Sequence, residues 1–196
     1  MRCMNAEILT AVALGIGLSA STGFRVFLPM LVASVAAHFG ILPLSDSFLW
    51  LGSWPAIISF GTATVVEVAA YYIPFVDNLL DTITTPLAVG AGTLLMTSVL
   101  PVDNDLLKWI AGFVIGGGAA ATIQSGSVVS RLTSSKFTAG TGNPVVSTGE
   151  NVAALGTSIL TLFIPVIIAA AFILLSVFIL YQLFRWRKSK REHKVQ

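Results

Sequence analysis

Residues 164–194 read IPVIIAAAFILLSVFILYQLFRWRKSKREHK. Residues 164–184 carry no charge, and the ten that follow hold six of the chain's eleven Lys and Arg. A helix rises about 1.5 Å per residue and the hydrocarbon layer is about 30 Å thick, so this run is long enough to cross. A basic cluster directly after an apolar helix stays on the cytoplasmic side. The tail, residues 185–196, is therefore expected in the cytoplasm, with Tyr181 and Trp186 as interfacial anchors. Contact with anionic lipid heads would be a consequence of that placement, and nucleic acid is not an expected partner.

The rest of the chain agrees. Its 196 residues are 55% hydrophobic and 10% charged, with a mean hydropathy of +0.88, whereas a soluble domain carries about 25% charged residues. A water-soluble fold of this length could not hide so much apolar surface. The composition predicts an all-α, polytopic membrane helical bundle, one membrane domain over residues 1–184. Cys3 is the single cysteine, so no internal disulfide or cysteine metal site can be built. Arg2 precedes the first apolar run, but no small-residue cleavage site follows it, and that segment is expected to be retained.

The apolar stretches are 6–39, 54–73, 86–100, 106–130 and 150–184. The second and fourth fit one crossing each, the third is short, and the first and last are too long for one. Both long stretches carry breakers, Gly23 and Pro29 in the region 19–29 and Pro165 in the region 163–165. Each is either a helical hairpin or a broken helix, giving about five to seven crossings. Breaks at membrane depth are tolerated where protein satisfies the freed backbone groups. Residues 133–149, TSSKFTAGTGNPVVSTG, have the composition of a loop.

Small residues are dense in IGGGAAATIQSGSVVS, residues 115–130, which predicts close helix packing. A homodimer through the face around Gly116–Gly118 is one expected use of that stripe. The string has neither the GxGxxG spacing nor a preceding strand for a phosphate loop. A weak internal repeat is also visible. Pro74 and Pro144 are each followed, six or seven residues on, by an acid, Asp81 or Glu150, at the head of a helix. Repeats of that kind recur in transporters.

Several polar residues interrupt the apolar runs. Arg25 follows the Gly23 break and either snorkels to an interface or meets an anion or carboxylate inside the bundle. Glu67 shares a helix face with Tyr71, at i+4, and is either paired with Arg25 or Arg131 or serves as a proton-relay carboxylate. Asp77 and Asp81 project on one side of a helix, as a cap or as a carboxylate pair able to hold Mg²⁺ beside a phosphate. DNLLD, residues 77–81, is loosely similar to the aspartate-rich motifs of membrane prenyltransferases. A second acidic motif could come only from Asp103-Asn104-Asp105 or Glu150-Asn151. If the third and fourth stretches each cross once, Asp77 and Asp81 share a side with Arg131 and Lys136. An inverted repeat would put them on opposite sides. His38 and His193 belong to no nucleophilic or HExxH constellation.

GLSASTGFRVFLPMLV (17–32), EVAAYYIPFVDNLLDTITTP (67–86) and NPVVSTGENVAAL (143–155) together resemble the bacterial membrane family catalogued as domain of unknown function 4126. The resemblance covers about residues 8–180 and carries a family pattern onto Arg25, Pro29, Glu67, Pro74, Asp77, Asp81, Ser147 and Glu150. It departs at Ala70-Tyr71-Tyr72, where the family pattern has Ala-Asp-Lys, so two phenols replace an acid and a cation. It implies a membrane fold and location, and no activity.

The reading that follows is a small transporter or channel-like protein of the bacterial inner membrane. Its polar intramembrane site would be lined by Arg25, Glu67, Tyr71, Asp77, Asp81, Asn143, Glu150 and Asn151, open to a small solute or ion and needing no cofactor. Backbone freed at the Gly23 and Pro165 breaks would contribute to that site. The alternatives are a Mg²⁺-dependent enzyme acting on a phosphate-bearing lipid, and a non-transporting scaffold whose charges lock helices together.

Overall fold

The computed structural model describes the backbone of residues 2–73, 76–138 and 142–192, and their side chains apart from 2–5, 77–79, 81, 183–184 and 186–192. Among these residues there are eight α-helices and no strand. They are α1 (Arg2–Ser21), α2 (Phe27–His38), α3 (Trp54–Ala70), α4 (Val76–Val99), α5 (Asp105–Ala111), α6 (Gly118–Thr138), α7 (Asn143–Phe163) and α8 (Pro165–Glu192). A 3-10 stretch, Asp46–Gly52, precedes α3 at an angle of 60°. A π-helical stretch, Gly112–Gly117, joins α5 to α6.

Side-chain to backbone bonds fix the directions. Ser19 donates to the Gly92 carbonyl at 2.7 Å and Thr22 to that of Ala88 at 3.2 Å, so α1 and α4 are antiparallel. Ser21 meets Thr157 at 2.9 Å, and Gly17 lies against Thr161, so α1 and α7 are antiparallel too. Val26, Met30, Ala33 and Ala36 pack in one core with Ala88, Ala91, Leu95 and Val99. Helix α2 therefore returns toward the end from which α1 set out. The Ser45 amide then donates to the Ser98 carbonyl at 2.8 Å. The first long stretch is thus a hairpin that turns inside the bundle, at residues 22–26. The last is also a hairpin, but its turn at Ile164 lies at the far end from the tip of the first.

One end of the bundle, the loop end, carries residues 39–53 and 100–104 and the Ile164 turn. Trp50, Trp54 and Trp109 are about half exposed or more there, as expected of an interfacial aromatic belt. The opposite end, the turn end, carries the connections between α3 and α4 and between α6 and α7. Tyr72 on one and Thr148 beside the other hydrogen-bond at 2.8 Å. Helices α4 and α7 thus both start from one end, as a parallel rather than an inverted relationship requires.

Two helices are longer than apolarity alone indicates. Helix α4 starts at Val76 and runs through Pro86, and α6 continues to Thr138, so the expected loop at 133–149 shrinks to the few residues before Asn143. Hydroxyls make this possible. Thr133 and Thr138 bond the carbonyls four residues back at 2.8 Å, so their polarity is absorbed within the helix. Among the described residues, three helical runs are long and apolar enough to cross a membrane, or four if the bent Asp46–Ala70 pair counts as one. Helix α7, of 21 residues, runs the same axis with Ser147, Glu150, Ser158 and Thr161 turned inward and Val145, Val152 and Phe163 outward. Apolar residues facing out and polar ones facing in is the arrangement of a membrane protein.

The glycine stripe is used within the chain. Gly112, Gly116 and Gly117 are buried against α4, where they face Thr97, Gly92 and Thr93. The face expected to receive a second copy is occupied by the chain's own helix at Gly116 and Gly117, and only Gly118 is open. A Cβ on Gly92 would stand 2.8 Å from both the Ala120 Cβ and the Gly116 carbonyl oxygen, whereas one on Gly90 meets nothing within 4 Å. We expect Gly92→Ala to destabilise the detergent-solubilised protein by about 1–3 kcal/mol. Gly90→Ala, on the same helix, should be neutral or stabilising by up to about 1 kcal/mol. Thermal melting of the two variants checks this, and equal melting points would contradict the seam.

Candidate functional site

The tip of the α1–α2 hairpin has to satisfy its own backbone. The amides of Thr22, Gly23, Phe24 and Arg25 bond carbonyls of α1. Those of Val26 and Phe27, at the start of α2, have no local acceptor, because Val26 cannot cap a helix with its side chain. Glu67, reaching in from α3, accepts from both at 2.8 and 3.0 Å. A carboxylate at a helix N-terminus gains from the free N–H groups and from the helix dipole. Glu67 is thus a cap supplied from forty residues away. Its bonds go neither to Tyr71, as the i+4 spacing predicts, nor to a guanidinium in a salt bridge among the described ion pairs.

Arg25, only 1% exposed, points from the same tip into the bundle. Its Nη1 donates to Glu150 Oε2 at 2.9 Å and to the Phe24 carbonyl at 3.2 Å. Nη2 donates to the Ser147 carbonyl at 3.1 Å, and Nε to Asn151 Oδ1. Snorkelling is excluded. Arg131 reaches the same carboxylate from α6, with Nε donating to Glu150 Oε1 at 3.1 Å and Nη2 to Oε2. Ser127, one turn earlier on α6, donates to Glu150 Oε1 as well. One buried carboxylate therefore holds two guanidinium groups, a geometry in which Arg's fixed fork is effective.

Tyr71 closes this layer toward α3 and α4. The guanidinium carbons of Arg25 and Arg131 stand 3.9 and 4.1 Å from its ring centre, within cation–π range. Its hydroxyl meets Thr84 Oγ1 at 3.0 Å, and Gln124 donates to the same oxygen at 3.3 Å. Thr84 stands eight residues after Val76 and fifteen before Val99. That places the layer roughly 12 Å from the start of α4 and roughly 22 Å from its other end. Ser147, wholly buried beside the cluster, has a hydroxyl oxygen with no hydrogen-bond partner among the described residues.

Of the residues singled out by sequence, Arg25, Glu67, Tyr71, Glu150 and Asn151 converge here. Asn143 sits two turns nearer the turn end, where its amide bonds Ser135 at 3.0 Å. The side chains of Asp77 and Asp81, and Pro74 entirely, lie outside the described residues. Among the described residues no three His, Cys, Asp or Glu side chains stand close enough to hold a metal ion. The Pro165 break contributes nothing to the site, being at the loop end. The sequence offers Arg131 as a cation for Glu67, but neither it nor its neighbour Ser127 was placed in the lining of the site. The signal was the four-residue spacing of the two, which puts them on one face if the helix continues.

Removing one partner of a buried pair leaves the other charge uncompensated, at a cost of about 3–5 kcal/mol. Glu150→Gln, which takes the carboxylate from the Arg25 guanidinium, should reach that range. Glu67→Gln keeps one acceptor oxygen for two amides and should cost about 1–3 kcal/mol. Val152→Ala, on the outward face, should change stability by less than about 0.5 kcal/mol. Unfolding in mixed micelles orders the three, and a Glu150→Gln variant as stable as the native chain would refute the shared-carboxylate account.

No curated protein and no solved structure matches this chain. The family model described as domain of unknown function (DUF4126) matches residues 12–185. With the match spanning nearly the whole bundle, including every member of the buried ionic cluster, the chain belongs to that family.

Proposed function

We propose that the protein moves a small solute or ion across the bacterial inner membrane, with the Arg25–Glu150–Arg131 cluster as its gate. One observation carries this reading. The chain turns inside the bundle at residues 22–26, and that turn delivers Arg25 to a buried carboxylate already engaged by Arg131. Non-helical backbone and ionisable side chains are costly at membrane depth, and both recur where a membrane protein handles a polar solute. A shared carboxylate can release either guanidinium to a competing ion, so the cluster can open without losing every contact. Placing the basic tail in the cytoplasm by the positive-inside rule puts the turn end there. The cluster then lies closer to the cytoplasm than to the opposite face.

The scaffold reading has its own support. Glu150 engages Arg25 and Arg131 together, both guanidiniums are only 1% exposed, and such a buried network also suits a protein that only holds helices together.

Proteoliposomes separate the two. Swelling and pH-dye assays with ammonium, acetate and phosphate salts should show at least one permeation rate above that of empty vesicles. In that case Glu150→Asp and Arg131→Lys should change it by about tenfold or more, as expected when a contact worth at least 1.4 kcal/mol is lost. Val152→Ala should leave it unchanged. Rates equal to those of empty vesicles for every salt would favour the scaffold.

A further inference from the structure

Helices α3 and α4 splay apart from their shared turn and leave a groove of about 550 Å³ between them. Its walls are apolar. Ile58, Val66, Ile83 and Leu87 line it and are 43–64% exposed on the outer surface of the bundle, where acyl chains lie. Its floor is polar, formed by Glu67 and Thr84. None of the residues lining it is Lys, Arg or His. A second groove of about 360 Å³, between α6, α7 and α8, repeats the pattern with Glu150 and Ser127 at its floor and no basic residue in its lining. Glu67 of the cap and Glu150 of the cluster are thus each presented to a lateral opening, while Arg25 and Arg131 line neither.

We propose that the α3–α4 groove binds an amphiphilic cation, an apolar body carrying a protonated amine, with its ammonium group on Glu67. The chemistry is complementary at both ends. The apolar walls take the hydrocarbon body out of the lipid boundary, and the floor offers a carboxylate in a low-dielectric setting where charge pairing is strong. Glu67 also has capacity to spare. An ionised carboxylate offers about four acceptor positions, and the two backbone amides of α2 occupy one on each oxygen. An ammonium group can bind without displacing the cap. An anionic headgroup at the same place would meet the Glu67 charge with no cation in the groove wall to offset it.

This inference names the solute class for the transport reading and rests on that reading for any movement across the bilayer. Binding, however, is measured at equilibrium, so a protein that binds without transporting still displays the site. The test uses three probes with one apolar body: phenylbutylammonium, phenylbutanol and phenylbutyrate. Each is titrated into the full chain in zwitterionic nanodiscs, with empty nanodiscs subtracted. Phenylbutylammonium should bind about tenfold or more tighter than the other two, as one desolvated charge contact allows. Glu67→Gln should bring it down to the level of the alcohol. Because that variant also weakens the α2 cap, Ala63→Trp provides an independent arm. It fills the groove from the wall without touching a charge and should abolish binding while the protein melts as the native chain does. Equal affinity for all three probes, tightest binding of phenylbutyrate, or undiminished binding in a folded Ala63→Trp variant would overturn the proposal.

Discussion

Every polar group at the α1–α2 turn has to be satisfied by protein, because the surrounding phase offers no water to replace a missing partner. The carboxylate of Glu67 on the amides of Val26 and Phe27 meets that requirement for the backbone. The carboxylate of Glu150 meets it for the Arg25 side chain. These two acids come from helices distant in the chain, so the turn can exist only once α3 and α7 are in place around it. Folding of the first hairpin is therefore tied to assembly of the whole bundle. The same dependence brings Arg25, Arg131, Tyr71 and Asn151 to one depth.

The close approach of α4 to the α5–α6 run sets where that layer lies. Gly92 and Gly116 allow the two backbones to touch, and this contact fixes the axial register between them. Eight residues along each helix from that contact, Thr84 and Gln124 meet. One and two turns further along α6, Ser127 and Arg131 reach Glu150. Ridges of small residues and a cluster of charges are in this way two parts of one arrangement. The glycines bring the helices together, and the charges select the single alignment in which each carboxylate finds its donors.

Much of the architecture was legible in the sequence. The apolar runs marked the helices, the breakers at Gly23 and Pro165 marked hairpins or broken helices, and an intramembrane Arg25 required either an internal partner or a nearby interface. The misread loop has a physical cause. Polar residues near the end of α6, in TSSKFT, look like a loop when hydropathy is the guide. The hydroxyls of Thr133 and Thr138 instead bond carbonyls within the helix, so α6 ends later than hydropathy indicates.

The sequence by itself determined the medium, the helical class and the presence of charges that could not face lipid, because these follow from composition and from the length of apolar runs. It also identified Glu67 and Glu150 as residues needing an explanation. Only the tertiary structure decided which donor each acid receives. Such pairings join positions 40 and 125 residues apart, and no local periodicity encodes the register that brings them within hydrogen-bond reach. That register emerges when backbones close on one another at glycine, a condition that exists only in the assembled bundle.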